Sequence, residues 1–239
     1  MEEKFDLSLI LACYNEGPIF KDSVGQIFSV LDQSNFSYEV IFIDDHSGDK
    51  TREKIKEIIK ENPRKRLRAF YHRRNKGRGR TVTEGFLKAR GKVVGFIDVD
   101  LEIPADYLPR FVNAVFAGND VATAFRIYDF NLRSLPRWLA SKGYRWLRKL
   151  LLEDDFQDTE SGYKFFNHRK ILKVLKKCHH SGWFWDTEVM IRSAEAGLKV
   201  KEIPVVFIKN PAKESTVRLL PDTWDYLINL WRFRKRKEE

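Results

Sequence analysis

The chain has 239 residues, 43% of them hydrophobic and 13% aromatic, which suits one sizeable core and excludes wholesale disorder. Its 44 lysines and arginines oppose 34 acids, and the net charge of +10 suits polyanionic partners such as nucleotide phosphates or anionic lipid. The only cysteines, Cys13 and Cys178, are too few for a disulfide framework or a zinc site, and no run approaches the roughly 18 apolar residues of a membrane span.

The first half alternates short apolar runs with longer amphipathic ones. DLSLILA (6–12), EVIFID (39–44), LRAFYH (67–72), KVVGFID (92–98) and DVATAF (120–125) are predicted strands. Residues 17–32, 49–62, 79–90 and 105–117 between them carry apolar side chains at helical spacing. Ser47 and Asp49 are candidate caps of the second helix, and Pro104 suits the first turn of the fourth. Such alternation predicts a mostly parallel sheet with helices on both faces. In the second half, 134–152 is a basic, Trp-bearing amphipathic stretch. GYKFFN (162–167) reads as a strand, followed by a helix near 169–177, a helix over 183–197 and a last strand over 198–208. The tail is again amphipathic and ends in Arg234-Lys235-Arg236-Lys237. One α/β domain over 1–208 with a C-terminal amphipathic extension over 209–239 is the economical division.

Ligands of open α/β sheets sit outside the carboxyl ends of the strands. Three acidic clusters fall at such ends: Tyr14-Asn15-Glu16, Asp44-Asp45-His46 and Asp98-Val99-Asp100. Asp98 and Asp100 share a face while the strand persists, and Glu102 continues that face or turns away with the loop. Carboxylates so placed suit Mg²⁺ or Mn²⁺ bound together with phosphate oxygens; helix capping, or pairing with Arg110, is the plainer alternative. Asn75-Lys76-Gly77-Arg78-Gly79-Arg80 opens a predicted helix and offers cations and backbone amides to a phosphate, or is a solvated basic turn.

In order, LSLILACYNEG, VIFIDDHSGDKT, NKGRGRTVTEGFLKARG, FIDVDLEIP, DTESGYKFF and WFWDTEVMIRSAEAGLKVKEIPV resemble family 2 glycosyltransferases, above all the dolichyl-phosphate mannose and glucose synthases. The resemblance spans about residues 6–220. It implies a GT-A (Rossmann-like) fold and inverting transfer of a hexose from GDP-mannose or UDP-glucose to a polyprenyl or dolichyl phosphate, with Mg²⁺ or Mn²⁺. By the same resemblance Tyr14, Glu16, Asp44 and Asp45 lie on the donor side, Asp98 touches both donor and metal, and Asp100 and Glu102 complete the metal set; Lys76 of the basic turn is the candidate donor-phosphate contact on its own residue pattern. Asp158, with Ser161-Gly162, falls near the sugar and acceptor, and Asp186 with Glu188 at the acidic helix start beneath the donor. Two departures stand out. His46 replaces the usual Gly of the second-strand turn, and Glu214-Ser215-Thr216-Val217-Arg218 replaces Gly-Ser-Lys, leaving Arg218 or Lys213 to meet phosphate.

A lipid phosphate is already an anion, so positioning and electrostatics are expected to carry catalysis. With a hydroxyl acceptor, Asp158 or Asp186 is the candidate base. Leu135, Trp138, Trp146, Leu147, Arg145 and Arg148 in the first basic stretch suit a membrane interface or core-facing helices, whereas Trp224, Leu230, Trp231 and Phe233 in the tail are expected at a membrane interface. The expected location is cytoplasmic, peripheral at the cytoplasmic face of a membrane. A catalytically weak membrane scaffold is another reading. Nucleic acid is not an expected partner, because no reading motif is present and acids crowd the sheet edge.

Overall fold

The computed structural model describes residues 4–128, 148–152, 154–209 and 219–238. Seven strands form one sheet: β1 (Phe5–Cys13), β2 (Tyr38–Asp44), β3 (Leu67–Tyr71), β4 (Gly91–Ile97), β5 (Val121–Tyr128), β6 (Tyr163–Asn167) and β7 (Val200–Phe207), in the order β3-β2-β1-β4-β6-β5-β7. The helices are α1 (Phe20–Gln33), α2 (Thr51–Glu61), α3 (Arg78–Lys88), α4 (Leu108–Phe116), α5 (His168–Leu175), α6 (Trp185–Glu195) and α7 (Leu219–Glu238). Residues 148–152 are also helical.

Side-chain alternation builds the layers. Leu7, Leu9 and Leu11 of β1 enter the core shared with α1, α2 and α4, whereas Ile10 enters the core of α3, α5 and α6. Val40 and Phe42 against Ile41 and Ile43 repeat the pattern in β2. A central parallel strand buried on both faces reads as a continuous apolar run, which is why β1 and β2 were visible in the sequence. Strand β6 departs from the parallel rule: it pairs antiparallel with both β4 and β5. Its first residue therefore shares an edge with the carboxyl ends of β1, β2, β4 and β5.

Two expected caps act differently. Asp49 Oδ1 accepts from Thr51 N at 2.9 Å, but Oδ2 accepts from Gly17 N, and Ser47 Oγ accepts from Asn15 N, so the pair stitches the loop after β2 to the loop after β1. Pro104 precedes a 3₁₀ turn, Ala105–Tyr107, and it is Pro109 that occupies the first turn of α4. Asn167 does cap α5, accepting from Lys170 N.

The tail is drawn into the core. Tyr226, Leu230 and Phe233 of α7 pack with Leu152, Phe184 and Ile191, so the apolar residues Leu230 and Phe233, expected at a membrane, are buried against α6. Arg148, expected on a solvated or lipid-facing side, is fully buried and bonds Asp154, Thr159 and the Phe156 carbonyl. Tyr226 meets Phe184 and Thr187, and Phe233 meets Phe184 and Arg192, so α7 packs against the first two turns of α6. Among the described residues no helix is long and apolar enough to cross a membrane.

Candidate active site

The loops at the carboxyl edge hold three non-glycine residues in the left-handed region: Asn15 after β1, His46 after β2 and Leu101 after β4, with φ of 54°, 67° and 52°. Such backbone is costly for leucine and histidine and concentrates where surrounding structure fixes a functional loop. His46 thus takes a backbone conformation that glycine adopts most readily.

On the β1–β2 side, Tyr14 is exposed and Glu16 folds back so that Oε1 accepts from Tyr14 N at 3.1 Å. Asp44 is fully buried. Its Oδ2 receives Arg52 Nη2 at 2.9 Å, and its Oδ1 accepts from Ser47 N. The Arg52 guanidinium lies over Tyr71, 5.2 Å from the ring centre. Asp45 holds the neighbouring loop: its oxygens accept from Lys76 N and Gly77 N at 2.8 and 2.9 Å and meet His72 Nδ1 at 2.6 Å. The other His72 nitrogen and Lys76 Nζ both reach Glu84, each at 2.9 Å. Burial raises the Glu84 carboxyl, yet the hydrogen bonds from Lys76 and His72 prevail and hold it at about 2. Gly77, at φ 87°, passes so close to Ser181 that a Cβ would meet the Ser181 carbonyl at 2.6 Å.

The centre of the edge is a four-charge chain. Arg78, the first residue of α3, donates Nη2 to Asp98 Oδ1 at 2.6 Å and Nη1 to Asp186 Oδ2. Lys164 Nζ donates to the other Asp186 oxygen at 2.8 Å and to the Ser161 carbonyl. Lys164 is fully buried, and burial pulls its ammonium below the usual lysine value, with Asp186 opposing. Asp98 stands half open, its side chain 45% exposed, and its amide donates to the Gly162 carbonyl. Gly162 is the close approach: a Cβ there would lie 1.7 Å from Asp98 Oδ2.

Lys164 was not foreseen, although its signal was present. A lysine between Tyr163 and Phe165 in a buried strand needs a carboxylate, and the sequence offers Asp186 two elements later. Asp100 Oδ1 accepts from Glu102 N at 3.3 Å, and the Glu102 carbonyl accepts from Ile208 N, tying this loop to the end of β7. Asp158 is buried and gripped by Arg126 Nε at 2.6 Å and Nη2 at 3.0 Å. Burial raises its carboxyl, but the Arg126 charge wins and holds it below the ordinary carboxylate value. Glu188 accepts from His179 N and His180 N, fixing the loop that crosses the start of α3. Arg218 and Lys213, and the stretch 134–147, lie outside the described residues.

Among the described residues no three His, Cys, Asp or Glu side chains gather as a preformed metal cluster. A divalent ion bound with a nucleotide needs only one or two carboxylates, the phosphates completing its shell. Asp98 is the partly exposed carboxylate of the four-charge chain, with Oδ1 on Arg78 and Oδ2 packed against Gly162, and Asp100 lies near enough to act on the Arg78 charge, so a divalent ion sharing Asp98 would share it with Arg78.

A mostly parallel sheet with one antiparallel strand, helices on both faces and charged groups gathered at the carboxyl edge is the arrangement of the GT-A fold. Residues 8–179 match glycosyl transferase family 2, and the chain belongs to that family. It is 30% identical to glycosyltransferase AglD of Haloferax volcanii over 95% of this chain and 37% of that one. It is 29% identical to the dolichol-phosphate mannosyltransferase of Pyrococcus furiosus over 98% of this chain and 65% of that one. The chain therefore spans about a third to two thirds of these relatives. Glucosyl-3-phosphoglycerate synthase from Mycobacterium tuberculosis, solved with Mn²⁺, uridine diphosphate and phosphoglyceric acid, superposes with a TM-score of 0.70 at 15% identity, covering 97% of this chain and 78% of that one.

Proposed function

We propose that the chain transfers a hexose, with inversion, from GDP-mannose or UDP-glucose to a polyprenyl phosphate at a membrane surface, with Mg²⁺ or Mn²⁺. The observation that carries this reading is the contrast among the carboxylates. Asp158 is clamped by Arg126, and Asp186 has both oxygens engaged by cations, whereas Asp98 stands half open at the edge. A hydroxyl acceptor needs a base with an available oxygen; an anionic phosphate acceptor does not. The clamps therefore favour the lipid phosphate, and the relative from P. furiosus carries a dolichol-phosphate name.

On this reading the loops after β1 and β2 frame the nucleoside, with Tyr14 exposed beside Glu16, and Asp44 buried behind its pair with Arg52. Asp98 and Asp100 would hold the divalent ion, which when bound neutralises charge developing on the leaving diphosphate. Arg78 and the amides at the start of α3 add fixed positive potential on the same side. Asp186 and Lys164 hold Arg78 in place from behind. Arg126 of β5, paired with Asp158, lies on the side that this reading gives to the acceptor.

The test is transfer of labelled hexose from each nucleotide-sugar to a polyprenyl phosphate in detergent, with Mn²⁺, Mg²⁺ or chelator. One donor class should serve, chelation should abolish transfer, and Asp98→Ala should lower it on the order of a hundredfold. Transfer to a hydroxyl acceptor with none to the lipid phosphate would overturn the reading.

A further inference from the structure

We infer that Arg78 is a resident counter-cation of the candidate metal site: it competes with a divalent ion for Asp98, and it turns to the donor diphosphate when ion and nucleotide bind together. This rests on the nucleotide-sugar reading and deepens it by naming what couples the two ligands.

The placement of the guanidinium carries the argument. Arg78 Nη2 is 2.6 Å from Asp98 Oδ1, on the same carboxylate whose other oxygen faces Gly162. Its Nη1 is bonded to Asp186, and its carbon lies 5.1 Å from the Phe96 ring centre and 5.5 Å from that of Trp183. The group is thus fixed by two carboxylates and two rings. Arginine cannot shed its proton to make room. An ion sharing Asp98 therefore meets a permanent positive charge across one carboxylate, in a site only partly open to screening. An anion with several acceptor oxygens removes that conflict. A nucleoside diphosphate can accept from Arg78 and approach the ion at once, and guanidinium forks match phosphate geometry.

Lys164 makes the exchange feasible. It is fully buried and bonded to Asp186 Oδ1 at 2.8 Å, so Arg78 can shift toward a phosphate without leaving Asp186 bare. The consequence is thermodynamic: Arg78 weakens the binding of bare metal and strengthens the binding of metal with nucleotide. Because linkage is reciprocal, each ligand must raise the affinity for the other by the same factor.

The experiment measures Mn²⁺ binding to the full chain by electron paramagnetic resonance of the free ion, alone and with UDP or GDP. Wild type should bind Mn²⁺ weakly alone and roughly tenfold more tightly with the preferred nucleotide. Arg78→Met should bind bare Mn²⁺ roughly tenfold more tightly than wild type and lose most of the coupling. Arg78→Lys, which keeps a charge, should keep most of it. Circular dichroism checks folding, and Arg78→Gln, which still donates to Asp186, replaces the Met variant if that one unfolds. Equal bare-Mn²⁺ affinity and unchanged coupling in a folded, uncharged variant would overturn the inference and leave the nucleotide-sugar reading standing. A wild type that binds neither UDP nor GDP, with or without Mn²⁺, overturns both.

Discussion

At the scale of single residues, the site is organised by what cannot be placed anywhere else. A buried lysine is expensive unless a carboxylate compensates it, and Lys164 finds Asp186 and a carbonyl. Asp186 in turn sits at the start of α6, where the helix dipole favours a negative charge. Gly162 answers to geometry in the same way. Its missing Cβ leaves the space that Asp98 Oδ2 fills, so any side chain at this position pushes the carboxylate out of line with Arg78. Gly162→Ala should therefore lower hexose transfer by about a hundredfold, the usual cost of an ångström-scale misplacement, while thermal melting falls only modestly. Transfer within a few-fold of wild type would show that Asp98 tolerates displacement and is not the anchor assigned to it.

At the scale of elements, the loop between β3 and α3 is held by a relay that the sequence disguised as a basic turn. Asp45 binds the amides of Lys76 and Gly77, His72 bridges Asp45 to Glu84, and Lys76 closes the ring. The cation of Lys76 thus serves α3 before any phosphate. The Glu84 carboxyl, held at about 2 against an ordinary 4.5, binds fewer protons folded than unfolded between those values. Its contribution to stability is complete above pH 4.5 and is lost as the pH falls toward about 2. Glu84→Gln should accordingly be less stable than wild type in denaturant at pH 7, and the gap should close across that acid window. A gap that stays constant from pH 7 to pH 2 would remove the relay from the account. Strands β1 and β2 were legible because burial on both faces leaves unbroken apolar runs, and the edge acids because they punctuate strand ends. The direction of β6 was not legible, since an apolar run looks the same read either way. Neither was the docking of α7: Leu230 and Phe233 suit a lipid face and a protein core equally, and only the partners Phe184 and Ile191 decide between them.

At the scale of the whole molecule, charge and the exposed face of α7 bear on how a membrane would be met. With a net charge of +10, the protein should be drawn to an anionic surface over about a Debye length, and salt should weaken that attraction. The inward face of α7 is spent on the core, and among its described side chains the exposed ones are Trp231, 53% exposed, Arg232, and Lys235, whose ammonium lies 3.9 Å from the Trp231 ring centre. An amphipathic aromatic flanked by cations is suited to a headgroup layer. These three residues lie on the face of α7 opposite Tyr226, Leu230 and Phe233, the residues through which the helix packs on Phe184 and Ile191. Surface attachment through α7 and nucleotide binding should therefore be separable. On the proposed reading, the triple change Trp231→Ser, Arg232→Ser, Lys235→Ser should reduce cosedimentation with phosphatidylserine vesicles by tenfold or more, each lost cation contributing about 1 kcal/mol. The dissociation constants for UDP or GDP with Mn²⁺ should stay as in wild type. Binding of wild type should fall steeply between low and high salt, and neutral vesicles should retain little. If the triple variant sediments with anionic vesicles as wild type does, attachment runs through another surface; if its nucleotide affinity drops as well, α7 is coupled to the site through Tyr226 and Thr187, and the two functions are not separate.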